Sequence, residues 1–178
     1  PGVTVSGTNV IPIPPPTLTV IINEILADPA SGTAGDANGD GIRSSSQDEF
    51  VELANVSSDP VDLTGWKLGD DEAVNFTFPD GYMMAPRSFL VVFGGGDVTG
   101  VDGYDADPLV TRVFSADSTV GNGLANGGEI ILLHSADGSY DTWLAYGSKA
   151  ATGGPPNADN YQIQIDVGAA ANADNSIT

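Results

Sequence analysis

The sequence predicts an all-β fold, a sandwich or barrel of short strands, on three observations. Short runs of β-branched and aromatic residues alternate with turn residues and recur at roughly 8–12-residue spacing. No long window carries the 3.6-residue period of an amphipathic helix. Glycine (23) and proline (12) are spread along the chain, and both interrupt helices.

The first candidate strand covers residues 18–26 and the second residues 49–55. Side chains alternate along a strand, so Val51 and Leu53 are expected to face the core, with Phe50 and Glu52 on the other face. A third run, 61–66, ends at Trp66 after a Thr64-Gly65 turn, and this indole is expected in the core. Residues 74–78, 88–93, 109–114, 129–134 and 142–146 follow as strands. The last two are expected to pair across Ser135-Ala136-Asp137-Gly138, because Gly accepts the positive φ of such turns. A weaker strand is 161–167, where Ile163 and Ile165 alternate with Gln162, Gln164 and Asp166.

Residues 1–16 differ from the rest. Val3, Val5, Val10, Ile11 and Ile13 form an apolar, β-prone strip, and Pro12, Pro14, Pro15 and Pro16 stiffen the chain into an extended spacer. Two readings stay open: a linker, or a donor strand in which Val3 to Ile13 pairs with the sheet edge of a neighbour. The organisation is a Pro-rich extension, 1–16, followed by one domain, 17–178.

Five basic residues against 24 acidic ones give a formal charge of −19. Such a surface repels phosphate backbones and anionic lipid and attracts divalent cations, which argues against nucleic-acid binding. No apolar run reaches the ~18 residues of a membrane span. There is no Cys and one His, His134, expected at the surface at a strand end, so zinc is disfavoured. Without a G-x-S-x-G elbow or a thiol nucleophile no catalytic triad is visible. Aromatic residues make up 7%, too few to line a sugar cleft well. Gly94-Gly95-Gly96 and Gly121-Asn122-Gly123 lack the spacing and the basic residue of a phosphate cradle. The chain therefore reads as a non-enzyme. Asn55-Val56-Ser57 and Asn75-Phe76-Thr77 match the glycosylation acceptor pattern.

The sharpest chemical signal is Asp36-Ala37-Asn38-Gly39-Asp40-Gly41. Hard cations such as Ca²⁺ take six to eight oxygen ligands, and oxygen side chains at alternate positions before a sharply turning Gly supply three. The expected ligands are Asp36, Asn38, Asp40, the carbonyl of Ile42, and the closing carboxylates Asp48 and Glu49. Gln47 stands where an EF-hand has its bidentate Glu, and a strand rather than a helix follows, so this is a calcium-type loop in a β context. Asp97, Asp102, Asp105 and Asp107 lack that regularity and read as a solvated acidic loop, and Asp70-Asp71-Glu72 reads as a plain turn.

Several phrases recur in order: Ile21-Ile22-Asn23-Glu24-Ile25-Leu26, Glu49-Phe50-Val51-Glu52-Leu53-Ala54-Asn55, Asp62-Leu63-Thr64-Gly65-Trp66-Lys67-Leu68, and Leu124-Ala125-Asn126-Gly127-Gly128-Glu129-Ile130-Ile131-Leu132. Over about residues 20–148 the chain resembles a lamin-tail domain of the bacterial or archaeal secreted type. The resemblance implies an immunoglobulin-like β-sandwich and a non-catalytic module of extracellular and surface proteins. Two long insertions, 28–48 and 94–107, depart from the simple pattern. The expected function is an extracellular or cell-surface structural module stabilised by Ca²⁺, in its most concrete form a filament subunit that self-associates through Val3 to Ile13. The alternative is an accessory adhesion or binding module of a larger secreted enzyme.

Overall fold

The computed structural model describes residues 19–70, 74–116, 123–138, 141–152 and 163–166. The strip from Val3 to Ile13 and the proline spacer lie outside these residues. The strands are β1 (Val20–Leu26), β2 (Phe50–Asn55), β3 (Val61–Asp62), β4 (Lys67–Asp70), β5 (Val74–Thr77), β6 (Met83–Met84), β7 (Phe89–Phe93), β8 (Val113–Ser115), β9 (Ile130–His134), β10 (Asp141–Ala145) and β11 (Ile163–Asp166). One sheet has the order β1-β2-β7-β8, the other β11-β10-β9-β4-β5, and β3-β6 form a small ribbon. Pairing is antiparallel except between β7 and β8 and between β10 and β11. The two sheets stack as an immunoglobulin-like β-sandwich.

Alternation along the strands builds the core. Ile22 and Ile25 of β1, Val51 and Leu53 of β2, and Leu90 and Val92 of β7 meet Leu68 of β4, Ile131 and Leu133 of β9 and Leu144 of β10. Phe50 and Glu52 turn outward and are half-buried, as the alternation of β2 demands. Each fully buried side chain of this size contributes ~1.5–3 kcal/mol. Phe78, Tyr82 and Phe114 close one end of the core, with Phe114 edge-on to the other two at 5.6 and 5.2 Å. Trp66 is 8% exposed within the same core.

Three predicted elements differ. The run 61–66 is strand only at Val61–Asp62; the chain then turns, with the Trp66 amide donating to the Leu63 carbonyl, and β4 starts at Lys67. The run 109–114 is strand only from Val113, because Asp107 accepts the Leu109, Val110 and Thr111 amides and folds the segment into a turn. Pro108, which has no amide to donate, sits inside that turn. Asp70 is the buried last residue of β4 rather than part of a plain turn. The predicted hairpin is present, β9 pairing β10 with Asp141 opposite His134. His134 is half-buried there rather than fully at the surface.

Both sheets also carry apolar residues on their outer faces. On the second, Ile130 and Leu132 of β9 cluster with Trp143 and Ala145 of β10. On the first, Phe50, Val91, Phe93 and Val113 meet Val98 and Val101 from the second insertion and Ala37 from the first. The two insertions thus form a layer over the outside of the first sheet, and that layer contains the calcium-type loop.

Candidate functional site

The first insertion leaves β1 through Asp28-Pro29 and makes a single 3-10 turn at Gly32–Gly35. A side chain at position 35 would lie 1.8 Å from the Ala30 carbonyl oxygen, so the turn closes only on Gly. Arg43 returns to tie this entry down, its guanidinium donating to the carbonyls of Pro29 and Ala30.

The calcium-type run is then wound by its own oxygens. The Gly41 amide donates to Asp36 Oδ2 (2.9 Å), the Asp40 amide to Asn38 Oδ1 (3.1 Å) and the Ile42 amide to Asp40 Oδ1 (2.7 Å). Short polar side chains close such turns because they reach backbone two residues on. Gly39 (φ +73°) and Gly41 (φ +87°) occupy the left-handed region where Gly alone is unstrained. Asp36 Oδ1 is buried and has no hydrogen-bond partner. An acceptor left in that state normally costs free energy, so it points to a missing partner.

Asp48 sits inside the loop, 0% exposed. Its Oδ1 accepts the Asn38 amide (3.1 Å) and its Oδ2 the Ser44 amide (2.6 Å). Glu49, also buried, turns the other way, and its Oε2 accepts the Leu124 amide at 2.8 Å. Burial, and secondarily the nearby Asp28, push the Glu49 carboxyl up to about 8, against the opposing Leu124 hydrogen bond and Arg43.

The two insertions interlock. Asn38, 0% exposed, donates from Nδ2 to the Gly95 carbonyl (3.1 Å), and the Asp97 amide donates to Asp40 Oδ2 (3.3 Å). The Gly94 and Gly95 amides donate to the carbonyls of Glu49 and Gln47. A Cβ at position 94 would meet the Ser46 carbonyl oxygen at 1.9 Å, and one at 96 would meet Asn38 Nδ2 at 2.2 Å. The triple glycine is therefore a socket for the calcium-type loop. Three glycines ending a strand signal close backbone approach, and this was the readable clue.

Of the predicted ligands, Asp36, Asn38, Asp40 and Ile42 follow one another around the loop. The Ile42 side chain is 68% exposed, which leaves its carbonyl as the group of interest. Asp48 and Glu49 are engaged with backbone amides on either side. Among the described residues no three carboxylate or imidazole groups gather into a metal centre. A hard cation here would draw on the Asn38 amide oxygen and the Ile42 carbonyl besides Asp36 and Asp40, and the orphaned Asp36 oxygen fits that role. The carboxylates of the second insertion are exposed, and three of them fold their own turns. Asp97 accepts from Thr99, Asp105 from Asp107 and Asp107 from Leu109. The Thr99 hydrogen bonds hold the Asp97 carboxyl below the usual carboxylate range.

The Asn55 acceptor pattern is a structural device. Asn55 is 2% exposed, and its Nδ2 donates to the carbonyls of Asp59, Met84 and Ala85. The Asn75 side chain lies outside the described residues.

Fold and loop layer define an immunoglobulin-like sandwich module with an oxygen-rich loop docked on one outer face. The family model of the lamin tail domain matches residues 14–148, and the chain belongs to that family. The family is a β-sandwich structural and interaction domain, and both insertions lie inside the matched span. Comparison with curated proteins returns no match.

Proposed function

We propose that this chain is a non-catalytic structural module working outside the cell or at its surface, and that calcium clips its first insertion. The observation that carries this reading is the buried, unpartnered Asp36 Oδ1 at the head of the loop. The other oxygens of Asp36, Asn38 and Asp40 already wind the backbone into a concave turn. Asp36, Asn38, Asp40 and the Ile42 carbonyl are the ligands, and Asp48 and Glu49 brace the loop from either side. Millimolar extracellular calcium fills sites of low affinity, and a chain of net charge −19 concentrates the ion. Binding only to the folded loop stabilises the fold by mass action. Chelation with EDTA is expected to lower the melting temperature by several degrees, with calcium restoring it and Asp36→Asn weakening the restoration. An unchanged melting temperature in EDTA overturns the calcium clip.

In its self-assembling form the strip from Val3 to Ile13 pairs with a sheet edge of the next subunit. A head-to-tail contact of that kind propagates a filament. Among the described residues β1 and β8 border the first sheet and β5 and β11 the second, which supplies candidate acceptors. Electron microscopy and size exclusion of the full chain, with and without calcium, test it. Polymers lost on deleting residues 1–16 support it; a monomer under all conditions favours the accessory-module alternative.

A further inference from the structure

We propose that a groove on the outer face of the first sheet docks an extended segment of a partner protein, one with basic side chains between apolar ones. The inference is independent of the calcium reading. It starts from an irregularity in β1, where the register with β2 shifts between Ile22 and Glu24. Ile22 and Ile25 both enter the core, so the bulge turns Asn23 and Glu24 outward together. Glu24 is then the register partner of Glu52. Like charges directly opposite each other destabilise a sheet, so this pair does not serve the fold. The Asn23 carboxamide donates to Glu52 Oε1 at 2.6 Å and holds that carboxylate in place.

These carboxylates line open depressions on this face. A cavity of about 610 Å³ lies over β1 and β2 against the first insertion, lined by Glu24, Leu26, Ala34 and Phe50 among others. A second, of about 270 Å³, continues over β7 and β8 to the second insertion and includes Glu52, Phe89 and Asp102. Glu24 and Phe50 line both, so the two form one groove between the insertions. The part over β7 and β8 is mostly apolar, with Phe89 52% exposed, and three carboxylates line it with one guanidinium, Arg112. Crossing from β1 to β8 spans three strand spacings, ~14 Å, or about four extended residues. Apolar and acidic lining together select a segment alternating basic and apolar side chains. A second copy of this chain fits poorly, since five basic residues stand against 24 acidic ones.

The test uses the full chain and a fluorescein-labelled octapeptide of alternating valine and lysine, read by fluorescence anisotropy. A glycine–lysine octapeptide of equal charge is the comparison. The valine–lysine peptide is expected to bind at least about fivefold more tightly than the glycine–lysine one. The double variant Glu24→Gln/Glu52→Gln is expected to bind it about fivefold more weakly. Asp59→Asn/Asp80→Asn, an equal charge change outside the groove, is expected to change binding less than about twofold. The groove variant should melt at the same or a higher temperature, because it removes opposed charges; this separates docking from folding. Phe89→Ser removes the exposed apolar floor and is expected to abolish the preference for valine. Equal binding of both peptides, equal loss in the two double variants, or no binding of the valine–lysine peptide overturns the proposal.

Discussion

Leu133 in the sandwich interior and Asp48 in the outer loop layer are both 0% exposed, and different physics holds them there. Leu133 packs against apolar neighbours from both sheets, an interaction with no directional requirement. Asp48 accepts two backbone amides, from Asn38 and Ser44, and each bond must point correctly. The interior tolerates exchange among apolar residues of similar volume. The loop layer depends on particular oxygens and on glycines that a Cβ would displace, as at positions 35, 94 and 96. A sandwich can thus carry a precise polar layer on its outside without disturbing its core, because the two use separate contacts.

Leu133→Ala is expected to show the largest effect, a loss of about 2–5 kcal/mol from transfer and cavity terms. Chemical denaturation should show one cooperative transition at lower denaturant. Asp48→Ala is expected to cost about 2–3 kcal/mol, because it leaves the buried Asn38 amide and the half-buried Ser44 amide without an acceptor. Its signature is regional: hydrogen exchange should rise in residues 36–48 and 94–97 while β9 and β10 stay protected. Uniform loss of protection would show that layer and core unfold as one and would remove the contrast between them.

Glu49 sits at the boundary and gives the most diagnostic effect. Burial raises its carboxyl from an ordinary 4.5 to about 8, so the folded chain binds a proton there that the unfolded chain has released. Stability from this group is full below about pH 4.5 and falls as pH rises toward 8, since the unfolded state binds fewer protons across that window. Glu49→Gln keeps an acceptor for the Leu124 amide and removes the titration. It is expected to flatten the decline and raise the melting temperature at pH 8 more than at pH 5. An unchanged pH profile would place Glu49 with the solvated carboxylates instead.

Most of the sandwich was legible because it rests on alternation. Val51 and Leu53 inward with Phe50 outward follow from a period of two, whereas Ile130 to Leu133 of β9 are apolar throughout and buried on both faces. Strand ends were less legible where a turn competed. Trp66 and Val110 look strand-prone, but Leu63 and Asp107 accept nearby amides and break the run first. In the site, the winding of Asp36 to Gly41 could be anticipated, because those hydrogen bonds are local in sequence. The bond from Asn38 to Gly95 could not, since its partners are far apart in the chain. The role of Asn55 was hidden for the same reason: its carboxamide is consumed by Met84 and Ala85 across the fold.

By itself the sequence determined the all-β class, the apolar faces of the main strands, the anionic surface and the oxygen-rich loop. All four depend on composition or on neighbours a few residues apart. Only the tertiary structure decided that the two insertions lock together, that the triple glycine is their socket, and that Asp48 and Glu49 face opposite ways. It also set Glu24 against Glu52 over an apolar groove, through a bulge and a strand pairing that no local pattern encodes. These are contacts between distant segments, and they form only when the packing of the two sheets brings the segments together.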